Sequence, residues 1–328
     1  MSAAPLPIGV VGVGSLGFHH ARILRDVPDA AMVGVYDADP SRAAKVSEEL
    51  GVRAFTALDD LLAEVEAAVI AVPTTDHAAV ALAALDRGVH LLIEKPIAPT
   101  LEEADRIVER AEARGVVVAT GHVERFNSAL RACEQYLDGP RFIESHRLAP
   151  FVARGTDVAV VLDLMIHDID LVLGLTASLV VDVQAVGVPI LTPNVDIANA
   201  RLGFADGAVA NITASRVSME RTRKIRFFQP SGYMSLDLAK GTGEFLRLRK
   251  GAAFPEDLSS ISLDRIVERV ELQGDGAEPL RCELEAFVRA VRGEGKVVVS
   301  GRDGRQALAV ALDIMQRIEN HGSGWQAA

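Results

Sequence analysis

The chain has 328 residues, of which 49% are hydrophobic and 5% aromatic, so it is long enough for two domains with aliphatic cores. Its net charge of −11 argues against nonspecific nucleic-acid binding, which depends on a basic surface. No apolar run approaches the ~20 residues of a membrane span, no signal peptide is evident, and only two distant cysteines are present, so we expect a cytoplasmic protein with neither membrane nor nucleic-acid partners.

The first ~120 residues alternate short β-branched runs with helical segments, which predicts a doubly wound parallel sheet with right-handed crossovers. Asp39-Pro40 reads as a helix start, and Thr100 to Glu103 reads as a capping box for a helix that ends near Gly115. The predicted strands are Ile8–Val11, Met32–Tyr36, Val52–Phe55, Ala68–Val72, Val89–Ile93 and Val116–Ala119.

After Arg141 the pattern changes to one helix, roughly Ala159 to Leu173, followed by strand-like runs and two closing helices. The runs are VVDVQAVGV, IANARLGF, AVANITAS, KIRFFQP and RIVERVELQ. Asp206-Gly207 between two such runs predicts a hairpin. We therefore expect an α/β protein with a Rossmann domain at 1–122 and a substrate-binding α+β domain at 123–328, built on a large, mostly antiparallel open sheet. The closing helix could pack back on the first domain. An open sheet needs a cover, which predicts a homodimer or homotetramer.

The stretch GVGSLG directly follows the first predicted strand and opens a helix, where the G-x-G-x-x-G fingerprint of dinucleotide binding is meaningful. Gly12 permits the tight turn, Gly14 allows backbone to approach a pyrophosphate, and Gly17 allows close helix–strand packing. Ser15 and Leu16 open the helix, whose free N–H groups suit a phosphate.

Asp37 ends the second predicted strand, 20 residues past Gly17 (37 − 17), where the fingerprint places an acid. Its carboxylate would bind the adenosine ribose and repel a 2′-phosphate, which favours NAD over NADP, although Arg42 lies nearby and an isolated Asp there could simply be a solvated acid or a helix cap. The other predicted cofactor contacts follow the fourth and fifth strands and are Pro73, Thr74, His77, Glu94 and Lys95.

Lys95 lies in an EKP turn at the carboxyl end of the fifth predicted strand, and Asp163 and His167 form a D-x-x-x-H pattern in the apolar stretch LDLMIHDIDLVLGL. Alone, Lys95 would read as a surface lysine and the acids as helix caps or internal salt links. A metal site from Asp163, His167 and Asp170 lacks a supporting ligand cluster, so no metal is predicted. Asp168 and Asp170 are interpreted as structural.

The glycine loop, the Asp-ended second strand, the EKP turn and the D-x-x-x-H pattern together resemble the Gfo/Idh/MocA family of nicotinamide-dependent sugar oxidoreductases, over nearly the whole chain. The resemblance implies that Lys95, Asp163 and His167 surround the reacting carbinol. A histidine that titrates near neutrality suits removal of the hydroxyl proton. Lys95 would stabilise charge on the same oxygen, and Asp163, four residues before His167, would orient substrate or imidazole.

The turn GHVERFN resembles that of family members that act on nucleotide-sugars, although Ser128 replaces the usual Pro. Two longer stretches, RLAPFVARGTDVAVVLDLMIHDID and DIANARLGFADGAVANITASRVS, resemble a subgroup of the family. Members of that subgroup oxidise the 3-hydroxyl of UDP-N-acetylglucosamine, and an aminotransferase then uses the product on the way to a lipid A precursor. Arginines suit the diphosphate of such a substrate, although each could equally lie on a solvated strand face or in a subunit contact. The predicted substrate-binding residues are His122, Arg125, Asn127, Arg147, Arg154, Asp163, His167 and Arg216.

Two alternatives stay open. The same chemistry could act on a free polyol or sugar such as an inositol. The Arg-rich tract SRVSMERTRKIRFF disfavours this alternative, because a free polyol has no phosphate for arginines to bind. The chain could instead be a noncatalytic regulator that binds NAD and a protein partner, which the joint presence of Lys95, Asp163 and His167 disfavours.

Overall fold

A computed structural model of the chain describes residues 4–152, 158–249 and 266–322. The chain forms two compact units, one of residues 1–126 and 278–309 and the other of residues 127–277 and 310–328. The expected boundary lies at residue 122, whereas the first unit extends to residue 126 in this division. The amino-terminal unit also includes residues 278–309. No helix in the described ranges has the length and apolarity required to cross a membrane.

The amino-terminal unit contains a six-stranded sheet in the order β3-β2-β1-β4-β5-β6, and all its strand pairs are parallel. This confirms the predicted doubly wound sheet, whose strand order reverses between β1 and β4 and so leaves a ligand crevice at their carboxyl ends. The strands are β1 (Leu6–Val11), β2 (Ala30–Tyr36), β3 (Ala54–Phe55), β4 (Ala67–Ile70), β5 (His90–Glu94) and β6 (Val118–Gly121).

Helices α1 (Ser15–Leu24), α2 (Pro40–Leu50), α3 (Leu58–Glu64), α4 (His77–Asp86) and α5 (Leu101–Arg114) alternate with these strands, and α8 (Pro279–Val291) belongs to the same unit. The predicted helix starts are confirmed: Asp39 accepts hydrogen bonds from the N–H groups of Ser41 and Arg42, and Thr100 accepts one from Glu103. Gly115 ends α5 in the left-handed conformation. Ile8, Val10 and Val69 of the strands and Leu284 and Phe287 of α8 share one buried core.

The second unit contains an eight-stranded sheet in the order β14-β13-β12-β11-β7-β10-β9-β8, in which only β7 and β10 pair in parallel. The predicted mostly antiparallel sheet and the hairpin between β9 and β10 are confirmed. Strands β7, β12 and β13 were not predicted. The strands are β7 (Phe142–Leu148), β8 (Val180–Val188), β9 (Ile197–Phe204), β10 (Val209–Ser215), β11 (Thr222–Gln229), β12 (Gly232–Asp237), β13 (Thr242–Leu248) and β14 (Val267–Gln273).

The two faces of this sheet differ in character, as period-two alternation requires. On β11, Ile225 and Phe227 are buried, whereas Arg226 and Phe228 are exposed on the opposite face. The buried face packs against α7 (Ile166–Thr176), and the short helix α6 (Ser128–Cys133) contacts β12 to β14. The last helix, α9, spans Gly301–Gly322.

Candidate active site

The glycine loop lies between β1 and α1, at the carboxyl edge of the parallel sheet. Gly12 has φ +85°, a conformation that L side chains rarely adopt. A Cβ on Gly17 would lie 1.8 Å from the carbonyl oxygen of Gly12, so only glycine lets α1 begin this close to the strand. A Cβ on Gly14 would meet no protein atom within 4 Å, which leaves the open cradle that a pyrophosphate needs beside the first turn of α1.

Asp37 follows β2 and is 7% exposed. Its carboxylate accepts hydrogen bonds from the N–H of Val13 at 2.8 Å, inside the glycine loop, and from the N–H of Asp39 at 2.9 Å. Nη1 of Arg42, a half-exposed side chain on α2, lies 3.2 Å from Asp37 Oδ1. The acid is therefore attached to the phosphate loop and also pairs with a cation that could meet a 2′-phosphate.

Replacing Asp37 with serine is expected to shift the kcat/KM preference from NAD toward NADP by about tenfold or more, because a charged hydrogen-bond partner is worth about 1.5–3 kcal/mol. Loss of the carboxylate removes the repulsion and frees Arg42 for a 2′-phosphate. Steady-state kinetics with both cofactors test this. The double variant Asp37→Ser/Arg42→Ala should lose the gain with NADP; an unchanged NAD preference in Asp37→Ser would contradict the role of Asp37.

The EKP turn follows β5 and is held inside the domain. Glu94 is buried, and its Oε1 lies 2.7 Å from Nε2 of His20 on α1. Its Oε2 accepts the N–H of Lys95 at 3.2 Å. The Glu94 carboxylate therefore faces α1, and its predicted contact with the cofactor stays a prediction. The Lys95 side chain is half-buried.

His77 opens α4 and contacts the same turn from the other side. Its ring is 1% exposed, with Nδ1 2.9 Å from the carbonyl oxygen of Pro96 and Nε2 3.0 Å from that of Val72. Burial lowers the pKa of His77, and the carbonyl acceptors, which favour the charged ring, offset only part of this effect. The ring is thus engaged with the main chain through both nitrogens, and its predicted contact with the cofactor stays a prediction. Pro73 and Thr74, by contrast, are exposed and half-buried at the end of β4.

In the second unit, Asp163 and His167 lie in a helix that begins with a wider, π-type turn, Val161–Met165, and continues as α7. The prediction was one regular helix from Ala159. Asp163 and His167 are half-buried, whereas Asp168 and Asp170 are each 1% exposed. Turns of this kind are rare in proteins, and those that occur often lie at functional sites. The polar groups of the apolar stretch therefore divide into a pair that stays partly accessible and a pair that is buried.

Asp168 is paired inside the domain with Arg147 of β7. Arg147 Nε lies 2.5 Å from Asp168 Oδ2, and the hydroxyl of Ser145 donates to Asp168 Oδ1 at 2.7 Å. Arg147 is only 3% exposed. Its guanidinium therefore ties α7 to the sheet, and Asp168 has the structural role expected of it.

Arg216 is also buried, at 5% exposure, and lies beside Asp196 with Nε 3.6 Å from Oδ1. It donates a short hydrogen bond to the carbonyl of Val158. Asp196 in turn accepts the N–H groups of residues 190–192 and the Thr192 hydroxyl. Like Arg147, Arg216 is engaged within its own unit.

Asp196 should make the stability of the second unit sensitive to acid. Burial raises the pKa of Asp196, but the hydrogen bonds from the 190–192 loop outweigh it and lower the pKa to about 2. Because this value lies below the unfolded one, the stabilisation is complete above about pH 5 and is lost as pH falls toward 2. The difference in the free energy of unfolding between wild type and Asp196→Asn, measured with urea, should shrink over that range. The exposed Asp60→Asn serves as the control, and a pH-independent difference for Asp196→Asn would contradict the assignment.

Three further predicted substrate residues, His122, Arg125 and Asn127, directly follow β6. His122 is fully buried after β6, and Arg125 is half-buried in the turn Val123–Phe126. Asn127 caps α6: its side chain accepts the N–H of Ala129 at 3.0 Å and donates to the carbonyl of Leu238 at 2.9 Å. Arg154 lies outside the described residues. Among the described residues, no group of three or more His, Cys, Asp or Glu side chains is arranged to hold a metal ion.

Two protein-family models match the chain. Residues 6–122 match the model of an oxidoreductase family with an NAD-binding Rossmann fold, and residues 134–234 match the GFO/IDH/MocA carboxy-terminal domain. The chain belongs to the Gfo/Idh/MocA family. It is therefore an NAD-dependent oxidoreductase.

The chain is similar to several sugar and polyol dehydrogenases of this family. It is 40% identical to a UDP-N-acetylglucosamine 3-dehydrogenase of Acidithiobacillus ferrooxidans, over 95% of this chain and 96% of that protein. A solved structure of an enzyme with that name and organism has a TM-score of 0.88 at 38% identity and covers 97% of this chain and 99% of that one. A myo-inositol 2-dehydrogenase of Thermotoga maritima is 25% identical over 96% of this chain and 97% of that protein. The chain is a sugar dehydrogenase of this family.

One residue of the site region was missed by sequence reasoning. His20 is fully buried and holds Glu94, the first residue of the EKP turn. A signal was present: His20 shares the buried face of α1 with Gly17, Ala21 and Leu24, so it is a polar side chain at a core position. Its partner, 74 residues away in sequence, could not be deduced from that pattern.

Proposed function

We propose that this protein oxidises the 3-hydroxyl of UDP-N-acetylglucosamine to a ketone. The observation that carries the proposal is the likeness to the Acidithiobacillus ferrooxidans enzyme, which extends over nearly the whole of both chains at 40% identity. Inositol dehydrogenases are also relatives, but at 25% identity over a comparable length in the Thermotoga maritima example. The nucleotide-sugar is therefore the better-supported substrate.

The catalytic roles follow from the chemistry of the reacting alcohol. NAD supplies the hydride acceptor for the carbinol hydrogen. His167 accepts the hydroxyl proton, and Lys95 donates a hydrogen bond to the same oxygen as negative charge develops there. Asp163 orients the imidazole or the sugar. The partial exposure of Asp163 and His167, beside two buried acids in the same helix, supports their assignment to chemistry.

The diphosphate of the substrate needs cations, because the chain as a whole is acidic. Arg147 and Arg216 are buried against Asp168 and Asp196, so we do not assign them to the diphosphate. We retain two candidates for the diphosphate: Arg125 in the GHVERFN turn, and Arg154, which precedes Asp163 and His167 in the sequence.

A coupled assay tests the substrate. Purified protein is mixed with NAD and UDP-N-acetylglucosamine, and the nicotinamide absorbance is followed with a carbonyl trap present, because oxidation of an alcohol by NAD is uphill. Reduction that depends on the nucleotide-sugar supports the proposal. Reduction with myo-inositol and none with the nucleotide-sugar would assign the protein to the polyol branch, and NAD binding without any turnover would favour the regulator.

A 3-keto sugar is a suitable substrate for an aminotransferase, and we propose that one consumes the product to form a 3-amino sugar for a lipid A or other surface-sugar precursor. Replacing the chemical trap with a sugar aminotransferase and glutamate should pull the oxidation forward. No acceleration over the untrapped reaction would count against this coupling.

We also propose that the protein is a homodimer or homotetramer through the open face of the eight-stranded sheet. Three aromatic rings form a row on that face: the centroids of Phe142 and Phe228 are 5.9 Å apart and those of Phe228 and Tyr233 4.7 Å apart. Phe228 is 41% exposed, and contiguous apolar groups on a surface mark interaction sites. Light scattering should give an oligomer for the wild type and a smaller species for Phe228→Glu. A monomeric, active wild type would refute the proposal.

A further inference from the structure

Glu94 is a buried acid at the end of a strand, a position where a charge is costly unless it has partners. Burial is the largest single effect and raises its pKa, but the hydrogen bond with His20 at 2.7 Å, the charges of His20 and Lys95 and the Lys95 N–H together outweigh it and hold the pKa of Glu94 below its usual range. The group is therefore a carboxylate at neutral pH. As a carboxylate it can only accept hydrogen bonds. Nε2 of His20 is therefore the protonated ring nitrogen, and its N–H donates the hydrogen bond to Glu94.

The His20 ring is fully buried, and its Nδ1 makes no hydrogen bond with any residue in the described ranges. The contact with Glu94 is thus the one polar interaction that the structure gives this ring. Space around the carboxylate is also tight: a Cβ on Gly121 of β6 would lie 3.2 Å from Glu94 Oε2. Glu94 is held in one place by α1 on one side and by β6 on the other.

The other oxygen of Glu94 accepts the main-chain N–H of Lys95 at 3.2 Å. Beyond Lys95, the carbonyl of Pro96 lies 2.9 Å from the ring of His77. The main chain around Lys95 is therefore contacted on the amino side by the Glu94 carboxylate, which His20 holds, and on the carboxyl side by the ring of His77. A misplacement of about 1 Å at a reacting group can cost about 10²-fold in rate.

We infer that His20 is a positioning residue for Lys95: by holding the Glu94 carboxylate, it sets the main chain from which the Lys95 side chain extends. The inference rests on the proposed role of Lys95 in the reaction. His20 acts through Glu94.

The test compares His20→Leu, which removes the donor, with His20→Gln, whose amide N–H can still reach the carboxylate. His19→Gln is the matched control, because His19 is the exposed neighbour on the same helix. Two measurements are made on the full-length protein. The first is kcat and KM with UDP-N-acetylglucosamine, together with the Kd for NAD. The second is the NMR signal of Lys95 after reductive ¹³C-methylation, assigned by its loss in Lys95→Arg; it needs no substrate.

We expect His20→Leu to lower kcat by about 10- to 100-fold with the Kd for NAD unchanged, and to shift the Lys95 signal. His20→Gln should recover most of both, and His19→Gln should match wild type. A folded His20→Leu with wild-type kcat and an unshifted signal would overturn the inference. So would a loss of NAD affinity and of thermal stability in proportion to kcat, which marks a purely structural role.

If His20→Leu does not fold, Glu94→Gln tests the same link, because it keeps the side-chain volume and removes the charged acceptor. It should shift the Lys95 signal, and an unshifted signal in this variant overturns the inference. If the wild type fails to oxidise the nucleotide-sugar, the NMR arm still decides: a shifted signal supports the positioning role while the proposed substrate is rejected, and an unshifted one rejects the positioning role itself.

Discussion

Lys95→Ala is expected to lower kcat for oxidation of UDP-N-acetylglucosamine by about 10²- to 10³-fold, the usual loss when a donor to a developing oxyanion is removed. The Kd for NAD should stay near the wild-type value, because the glycine loop and Asp37 lie on other strands of the sheet. Stopped-flow or steady-state absorbance gives kcat, and fluorescence titration gives the Kd.

Lys45→Ala is the matched control for this prediction, since Lys45 is an exposed lysine on α2 of the same unit. Lys95→Arg separates charge from geometry: it keeps the cation but changes the position of the donor atoms, so most of the activity should still be lost. Turnover by Lys95→Ala within a few-fold of wild type would remove Lys95 from the mechanism. A regulator would show wild-type partner binding and no turnover in any of these proteins.

Asp168→Ala is expected to reduce the free energy of unfolding by about 3–5 kcal/mol, because it leaves the buried guanidinium of Arg147 without its counter-ion. Arg147→Met should cost a similar amount by orphaning the carboxylate. The double variant Arg147→Met/Asp168→Ala should recover much of the loss, since replacing both partners with apolar side chains removes the unpaired charge. Urea unfolding of the four proteins measures these differences and their coupling.

The surface pair of Arg269 and Glu244, at 2.6 Å with both side chains largely exposed, is the control. Arg269→Met should cost no more than about 1 kcal/mol, because solvent screens such pairs. If Arg147 bound the diphosphate instead, Arg147→Met would leave stability intact and raise KM for the nucleotide-sugar. That result would restore the original prediction for Arg147.

Much of the fold was predictable because its signals are local. The strands of the first unit are short apolar runs between helix caps, and runs of this kind with crossover helices form few arrangements other than a doubly wound sheet. In the second unit, β8 (Val180–Val188) and β9 (Ile197–Phe204) coincide with the predicted runs. Strand β12 was missed because GYMSLD contains Gly, Ser and Asp, which have low strand propensity; only pairing with β11 and β13 makes it a strand.

The positions of the glycine loop and of Asp37 were predictable for the same reason: a glycine loop after a strand and an acid at the end of the next strand are defined by spacing along the chain. The roles of the arginines and of His20 were not. Sequence shows that Arg147 is a cation but not which way its side chain points, and its partner Asp168 is 21 residues away on another element. His20 and Glu94 are 74 residues apart. The sequence by itself determined which chemical groups the protein has and which backbone carries them. Only the tertiary structure decided which charges are buried in pairs, because burial and pairing depend on contacts between distant segments.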